Sequence, residues 1–111
     1  MVEIIWTEPA LGDLDAIADY IALDKPDAAS RLVQRVFGHV EMLATHPGLG
    51  SRIPELRPNS RHRQIVEAPC RVFYRHDAKH KKVFILGVMR GERQFKKSRL
   101  VARDKPGRGG E

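Results

Sequence analysis

The chain has 111 residues, 41% of them apolar and 31% charged, with a net charge of +6 and one cysteine. That length holds a single domain with a modest core, and a lone Cys70 excludes an internal disulfide or a multi-cysteine zinc site. The longest apolar run, VFILGVM at 83–89, has seven residues, far short of a bilayer span.

The N-terminus reads MVEIIWTEP, with Glu3 and Trp6 where a secretory leader would carry a basic and then a long apolar region. A cytoplasmic protein with no membrane partner is expected. The charge is polarised: residues 1–50 hold three basic and eight acidic side chains, residues 51–111 seventeen and six. The halves therefore carry −5 and +11. Such a second half calls for an acidic partner, either nucleic acid or an acidic protein segment.

VEIIW at 2–6 is a short β-rich run, and Thr7 follows as an N-cap, with Glu8 and Pro9 suited to a first helical turn. Leu11, Leu14, Ile17, Ala18 and Ile21 then recur at helical spacing, with Asp13, Asp15 and Asp19 on the opposite, solvated side. Pro26 ends that helix and starts another. The second apolar stripe, Ala28 through Leu43, runs to about residue 44 and completes an αα-hairpin. HPGLGSRIPELRPNS at 46–60 has three prolines, two glycines and no period, and reads as a connecting loop. Three strands follow at 62–67, 70–76 and 82–89, the last two joined as a hairpin around Asp77 to His80. The last strand is apolar on both faces, as a central strand is. Residues 96–111 form a basic, then Gly-rich tail, read as a frayed helix followed by disorder.

The fold class is therefore α+β: an N-terminal strand at an edge or beside the last strand, an αα-hairpin, then a three-stranded antiparallel meander, with the hairpin on one face of the sheet and arginines displayed on the other. The histidines show no metal-ligand spacing. Neither a metal nor a cofactor is expected. Cys70 has no identifiable His partner and reads as a small core residue of its strand. Trp6 and Tyr74 read as core or rim aromatics. RGER at 90–93 and KKSR at 96–99 concentrate positive charge just after the last strand.

TEPALGDLDAIADYIA at 7–22, DKPDAASRLVQRV at 24–36, HPGLGSRIPEL at 46–56 and CRVFYR at 70–75, in that order, resemble the RelE/ParE superfamily of type II toxin–antitoxin toxins over about residues 2–95, so a single toxin domain is expected at 1–95. The helix pair and the HPGLG loop look more like its ParE branch. That resemblance implies a toxin that poisons DNA gyrase by stabilising its cleaved-DNA complex, meets DNA only through gyrase, and is neutralised by a ParD-like antitoxin. Arg71, Arg75, Arg90 and Arg93 are the expected target contacts, and Leu11, Leu14, Ile17 and Ile21 the expected antitoxin contacts. No catalytic residue is expected on this reading.

The alternative is a RelE-like, ribosome-dependent mRNA interferase centred on His62 and Arg71. Cutting RNA through its 2′-hydroxyl requires a base, an acid and cations around the phosphate. The positions where RelE-type members carry lysines fall at His62 and Gln64, their third-strand arginine at Arg71, a later arginine at Gly91 and a C-terminal tyrosine at Lys97. Arginine stays protonated and cannot act as a base. Many ParE relatives carry Tyr where this chain has Cys70, and His where it has Met89 and Arg90.

Overall fold

A computed structural model describes residues 1–91 and 95–104. Its order is β1 (Glu3–Trp6), α1 (Glu8–Ala22), α2 (Pro26–Glu41) with a 3-10 turn at Met42–Ala44, β2 (Ser51–Arg52), β3 (His62–Glu67), β4 (Cys70–Asp77), β5 (Lys82–Arg90) and α3 (Lys97–Arg103). The expected α+β architecture is present.

The five strands lie in the order β1-β5-β4-β3-β2. β3, β4 and β5 form the antiparallel meander, and β1 runs parallel to β5, from Glu3 opposite Lys82 to Trp6 opposite Ile85. The first strand is thus both at an edge and beside the last. Thr7 performs two tasks at this junction: its Oγ1 accepts the Ala10 N–H of the first helical turn and donates to the Ile85 carbonyl at 2.7 Å. The cap therefore also ties α1 to the sheet.

One face of the sheet packs on the helical hairpin through Leu14, Leu32, Val36, Val40 and Leu43 against Ile65, Val72, Tyr74, Val83 and Ile85. Each fully buried aliphatic chain of this kind contributes about 1.5–3 kcal/mol. Cys70 is fully buried in the same layer. Phe37 and Leu11, which fall on the helical stripes, stay 38% and 39% exposed. Phe37 lies at the rim, with its ring centroid 4.8 Å from that of Trp6 on the edge strand.

The opposite face is not the bare arginine display that strand alternation suggests. A second small core of Ile53, Phe73, Leu86 and Leu100 covers it, flanked by Leu56, Phe84, Met89 and Phe95. The register shifts between Phe73 and Tyr74, which face Gly87 and Ile85, so Leu86 is an extra residue of β5. Strand alternation sends β5 side chains to both cores, and the bulge switches its phase, so that Val88 joins Val83 and Ile85 on the hairpin face while Met89 joins Phe84 and Leu86 on the other. The segment expected to fray forms α3, docked through the 4%-exposed Leu100. The expected disorder beyond it concerns residues 105–111, outside the described part of the chain.

The proline-rich loop also holds structure that its composition does not reveal. Ser51 and Arg52 pair with Gln64 and Arg63. The Tyr74 hydroxyl donates to the Pro47 carbonyl at 2.8 Å and accepts the Gly50 N–H at 2.9 Å, and burial pushes its pKa up. A Cβ on Gly50 would lie 2.5 Å from the Gln64 carbonyl oxygen and 2.6 Å from the Tyr74 hydroxyl. The loop is thus pinned where backbone and phenol meet. Tyr74→Phe should lower the unfolding free energy by about 1–3 kcal/mol because it leaves a buried N–H unpaired. Gly50→Ala should cost about 1–3 kcal/mol through overpacking. Urea unfolding of the two variants checks both.

Candidate functional site

Alternation along β3 and β4 decides which polar groups share the second face. His62 stands opposite Arg75, Gln64 opposite Phe73 and Val66 opposite Arg71. On this face His62, Gln64, Arg71 and Arg75 converge around Phe73, so the structure brings both residues of the ribonuclease reading to the same surface as two of the expected target contacts.

Each arginine there is held by a carboxylate from a distant part of the chain. Arg71 makes a two-pronged pair with Glu55, Nη1 to Oε1 at 3.0 Å and Nη2 to Oε2 at 3.1 Å, and its Nη1 also donates to Gln64 Oε1 at 3.2 Å. Its guanidinium lies 5.2 Å from the Phe73 ring centroid and 5.6 Å from that of Phe95. The Arg71 hydrogen bond holds the Glu55 carboxyl below its ordinary value, against a smaller upward push from burial. Arg75 donates through Nε to Asp104 Oδ2 at 2.7 Å and sits 5.1 Å from the Phe84 ring centroid. His62 Nε2 lies 2.8 Å from the same Asp104 oxygen, while Ser60 Oγ approaches its Nδ1 at 3.4 Å. The side chains of His62, Arg75 and Asp104 are 13%, 17% and 8% exposed.

Arg90 belongs elsewhere. Its guanidinium lies 5.2 Å from the Tyr20 ring centroid of α1, so it turns toward the helices and does not join Arg71 and Arg75. Arg93, the fourth expected contact, lies outside the described residues. Between α1, the end of β5 and α3 runs a groove of about 740 Å³ lined by Ile17, Tyr20, Met89, Arg90, Phe95 and Arg99. Arg90 thus borders the groove, whereas His62, Arg71 and Arg75 do not line it.

Of the four expected antitoxin contacts, Leu14 is 2% exposed and committed to the core, which corrects its assignment. Its place at the centre of the helical stripe points it at the sheet. Ile17 and Ile21 are partly buried against that core, and Leu11 offers the most surface. Asp13 is not a solvated acid of the polar helix face either. Its Oδ2 accepts the Val88 N–H at 3.0 Å and an Arg103 N–H at 2.7 Å, and its Oδ1 takes a second Arg103 N–H at 3.2 Å. Three acids that organise this part of the molecule, Asp13, Glu55 and Asp104, thus gain their roles through partners 16 to 90 residues away. No local motif marks them. Among the described residues no three His, Cys, Asp or Glu side chains gather as a metal site, and no helix is long and apolar enough to cross a membrane.

The family model of the ParE toxin of the type II toxin–antitoxin system parDE matches residues 4–95. The chain belongs to the ParE toxin family. A Sinorhizobium fredii protein, Y4kP, whose name places it among toxins, is 37% identical to this ParE-family chain over 92 residues, covering 83% of it and 91% of the relative. Toxin RelE2 of Caulobacter vibrioides is 42% identical over 50 residues, covering 45% of this chain and 57% of the relative. Among solved structures, the chromosomal ParDE toxin–antitoxin system of P. aeruginosa superposes with a TM-score of 0.68 at 29% identity, covering 83% of this chain and 98% of the other. The chain is a type II toxin with the fold of the ParE and RelE proteins.

In this ParE-family member the clamp on α3 depends on an ionised Asp104. Burial pushes the Asp104 pKa upward, but the hydrogen bonds from His62 and Arg75 outweigh it and hold the carboxyl below its ordinary value of 3.8. A lowered folded-state pKa gives stability that is complete above 3.8 and lost as the pH falls through the folded value. Amide-exchange protection of Leu100 and Asp104, whose N–H groups bond to the Lys96 and Leu100 carbonyls, should therefore fall in that acid range. In Asp104→Asn the acid-dependent part of that loss should disappear.

Proposed function

We propose that this toxin inhibits DNA gyrase by stabilising the cleaved-DNA complex, acts in the cytoplasm without catalysing a reaction of its own, and is neutralised by a cognate ParD-like antitoxin. The observation that carries this reading is the state of the second sheet face. Its strong cations, Arg71 and Arg75, are each paired with a carboxylate of the same chain, and Gln64 stands where a titratable amine would serve ribonuclease chemistry. Gly91 and Lys97 stand where the RelE-type set has an arginine and a tyrosine. The matching family model is that of the parDE toxin, which supports the same branch.

Gyrase contact is assigned to Arg71, Arg75, Arg90 and Arg93, with any DNA contact made through gyrase. Leu11, Ile17 and Ile21 are assigned to the antitoxin. One observation favours a second reading, ribosome-dependent mRNA cleavage: the imidazole of His62 shares its face with Arg71. Similarity to a relative named Toxin RelE2 points the same way.

A supercoiling reaction with purified, antitoxin-free protein separates the two. The expected result is loss of supercoiling with linear DNA accumulating on a denaturing gel, and intact mRNA in a parallel ribosome reaction. Arg90→Ala should require about tenfold more protein for the same inhibition, the loss expected for one charge-assisted contact. Cut mRNA with unaffected gyrase would replace this reading with the ribonuclease one.

A further inference from the structure

The expected target contacts lie on two surfaces of unequal availability. On the second face the side chains of Arg71 and Arg75 are mostly buried and already hold Glu55 and Asp104, so a partner that meets them must first displace a carboxylate. The groove between α1, the end of β5 and α3 is different. Its apolar lining includes Ala16, Ile17, Val88, Met89 and Leu100. Lys96 and Arg99 line its α3 side, both exposed and without a carboxylate partner among the described residues. Asp13 is the one acid that the described residues bring to this lining, and the Val88 N–H and Arg103 already occupy it. On the α1 side Tyr20 is 63% exposed, with the Arg90 guanidinium 5.2 Å from its ring centroid, and Leu23, almost one turn further, is 85% exposed. Tyrosine and arginine are among the side chains that most often anchor protein interfaces.

We propose that this groove is the surface by which the toxin holds gyrase, and that its occupant is a segment of the gyrase polypeptide with apolar side chains flanked by carboxylates. The proposal rests on the gyrase reading and ranks its contacts. Arg90 belongs to the main anchor, whereas Arg71 and Arg75 are secondary, since their own carboxylates must leave first. Two features select polypeptide over DNA. A phosphate backbone is held by charge and hydrogen bonds and gains nothing from an apolar lining, while a protein segment gains by burying side chains in it. The uncompensated cations stand beside that lining, where they attract acidic groups during encounter and leave the apolar contact to hold the partner. Arg75 also has an indirect part: its bond to Asp104 helps to seat α3, and α3 brings Arg99 to the groove.

Binding of the full chain to purified gyrase, read by biolayer interferometry without DNA, tests the groove with two bulky substitutions. Ala16→Trp fills it from an exposed position on α1, and Val66→Trp adds bulk at an exposed position opposite Arg71. Ala16→Trp should raise Kd at least about tenfold, and Val66→Trp should leave it within about twofold. Lys96→Glu combined with Arg99→Glu should slow association about tenfold at low salt, an effect that fades near 1 M salt, where charges are screened beyond about 3 Å. This pair covers the case in which Ala16→Trp perturbs α1. Arg52→Glu combined with Arg57→Glu, the same charge change outside the groove lining, should alter association by no more than about twofold. Gyrase binding lost in Val66→Trp and kept in Ala16→Trp overturns the groove and leaves the gyrase reading intact. Binding that appears only when DNA is added overturns the polypeptide occupant. If Ala16→Trp loses its antitoxin and still binds gyrase as before, the groove belongs to the antitoxin and the proposal fails. If the unmodified chain neither binds gyrase nor blocks supercoiling, the gyrase reading itself falls and takes this proposal with it.

Discussion

On the side away from β4, the second half of β5 has no strand beside it, and the way that gap is closed governs the rest of the molecule. β1 pairs with β5 only as far as Ile85. Beyond it, a strand edge in the middle of a domain presents backbone groups that are costly to bury unpaired. Asp13 takes the Val88 N–H, and Arg103 donates to the Leu86 carbonyl at 3.1 Å while gripping Asp13 with two nitrogens. An acid from α1 and a base from α3 thus do the work of a missing strand. Their mutual pair is what brings the C-terminal helix back onto the sheet.

From that closure follows the second core. Once α3 lies across the sheet, Leu100 completes the layer with Ile53, Phe73 and Leu86, and the face that strand alternation would leave wet becomes largely dry. Charges enclosed there need partners, since a buried guanidinium without one is costly. Glu55 from the connecting loop and Asp104 from the end of α3 supply them. The second sheet face of this toxin is therefore not a row of free cations. It is a set of cations already neutralised within the chain, which any external anion or partner must first compete with. The groove beside it, bordered by Arg90 and Tyr20, is a separate surface, so among the described residues Arg90 falls on a different face from Arg71 and Arg75.

Much of the fold was legible in sequence because it depends on short-range periodicity. Both helices, the Thr7 cap, the break at Pro26 and the three long strands are encoded by spacings of two and of three to four residues, and by residues whose backbone preferences act locally. The family was legible for a related reason: several motifs in fixed order leave few folds to choose from. Two-residue β2 was not legible, because it exists only through pairing with β3 and through the Tyr74 contact at Gly50. The candidate site was legible in part. Two arginines four residues apart on β4, on the same side of the strand, announce a charged face, but not that Arg90 turns to the other side.

The sequence by itself determined the element types, the α+β class, the hairpin's apolar stripe and the charge polarity of the two halves, since each rests on neighbours within a few residues. Tertiary structure alone decided what the charges do. Asp13, Glu55 and Asp104 look like ordinary surface acids in sequence, and each becomes a structural anchor because folding brings it to an arginine 90, 16 or 29 residues away. Ion pairs of this kind have no period and no local propensity. They are fixed only when strand register and helix docking set the distances, and Coulomb attraction in a partly dry interface then makes the pairing matter.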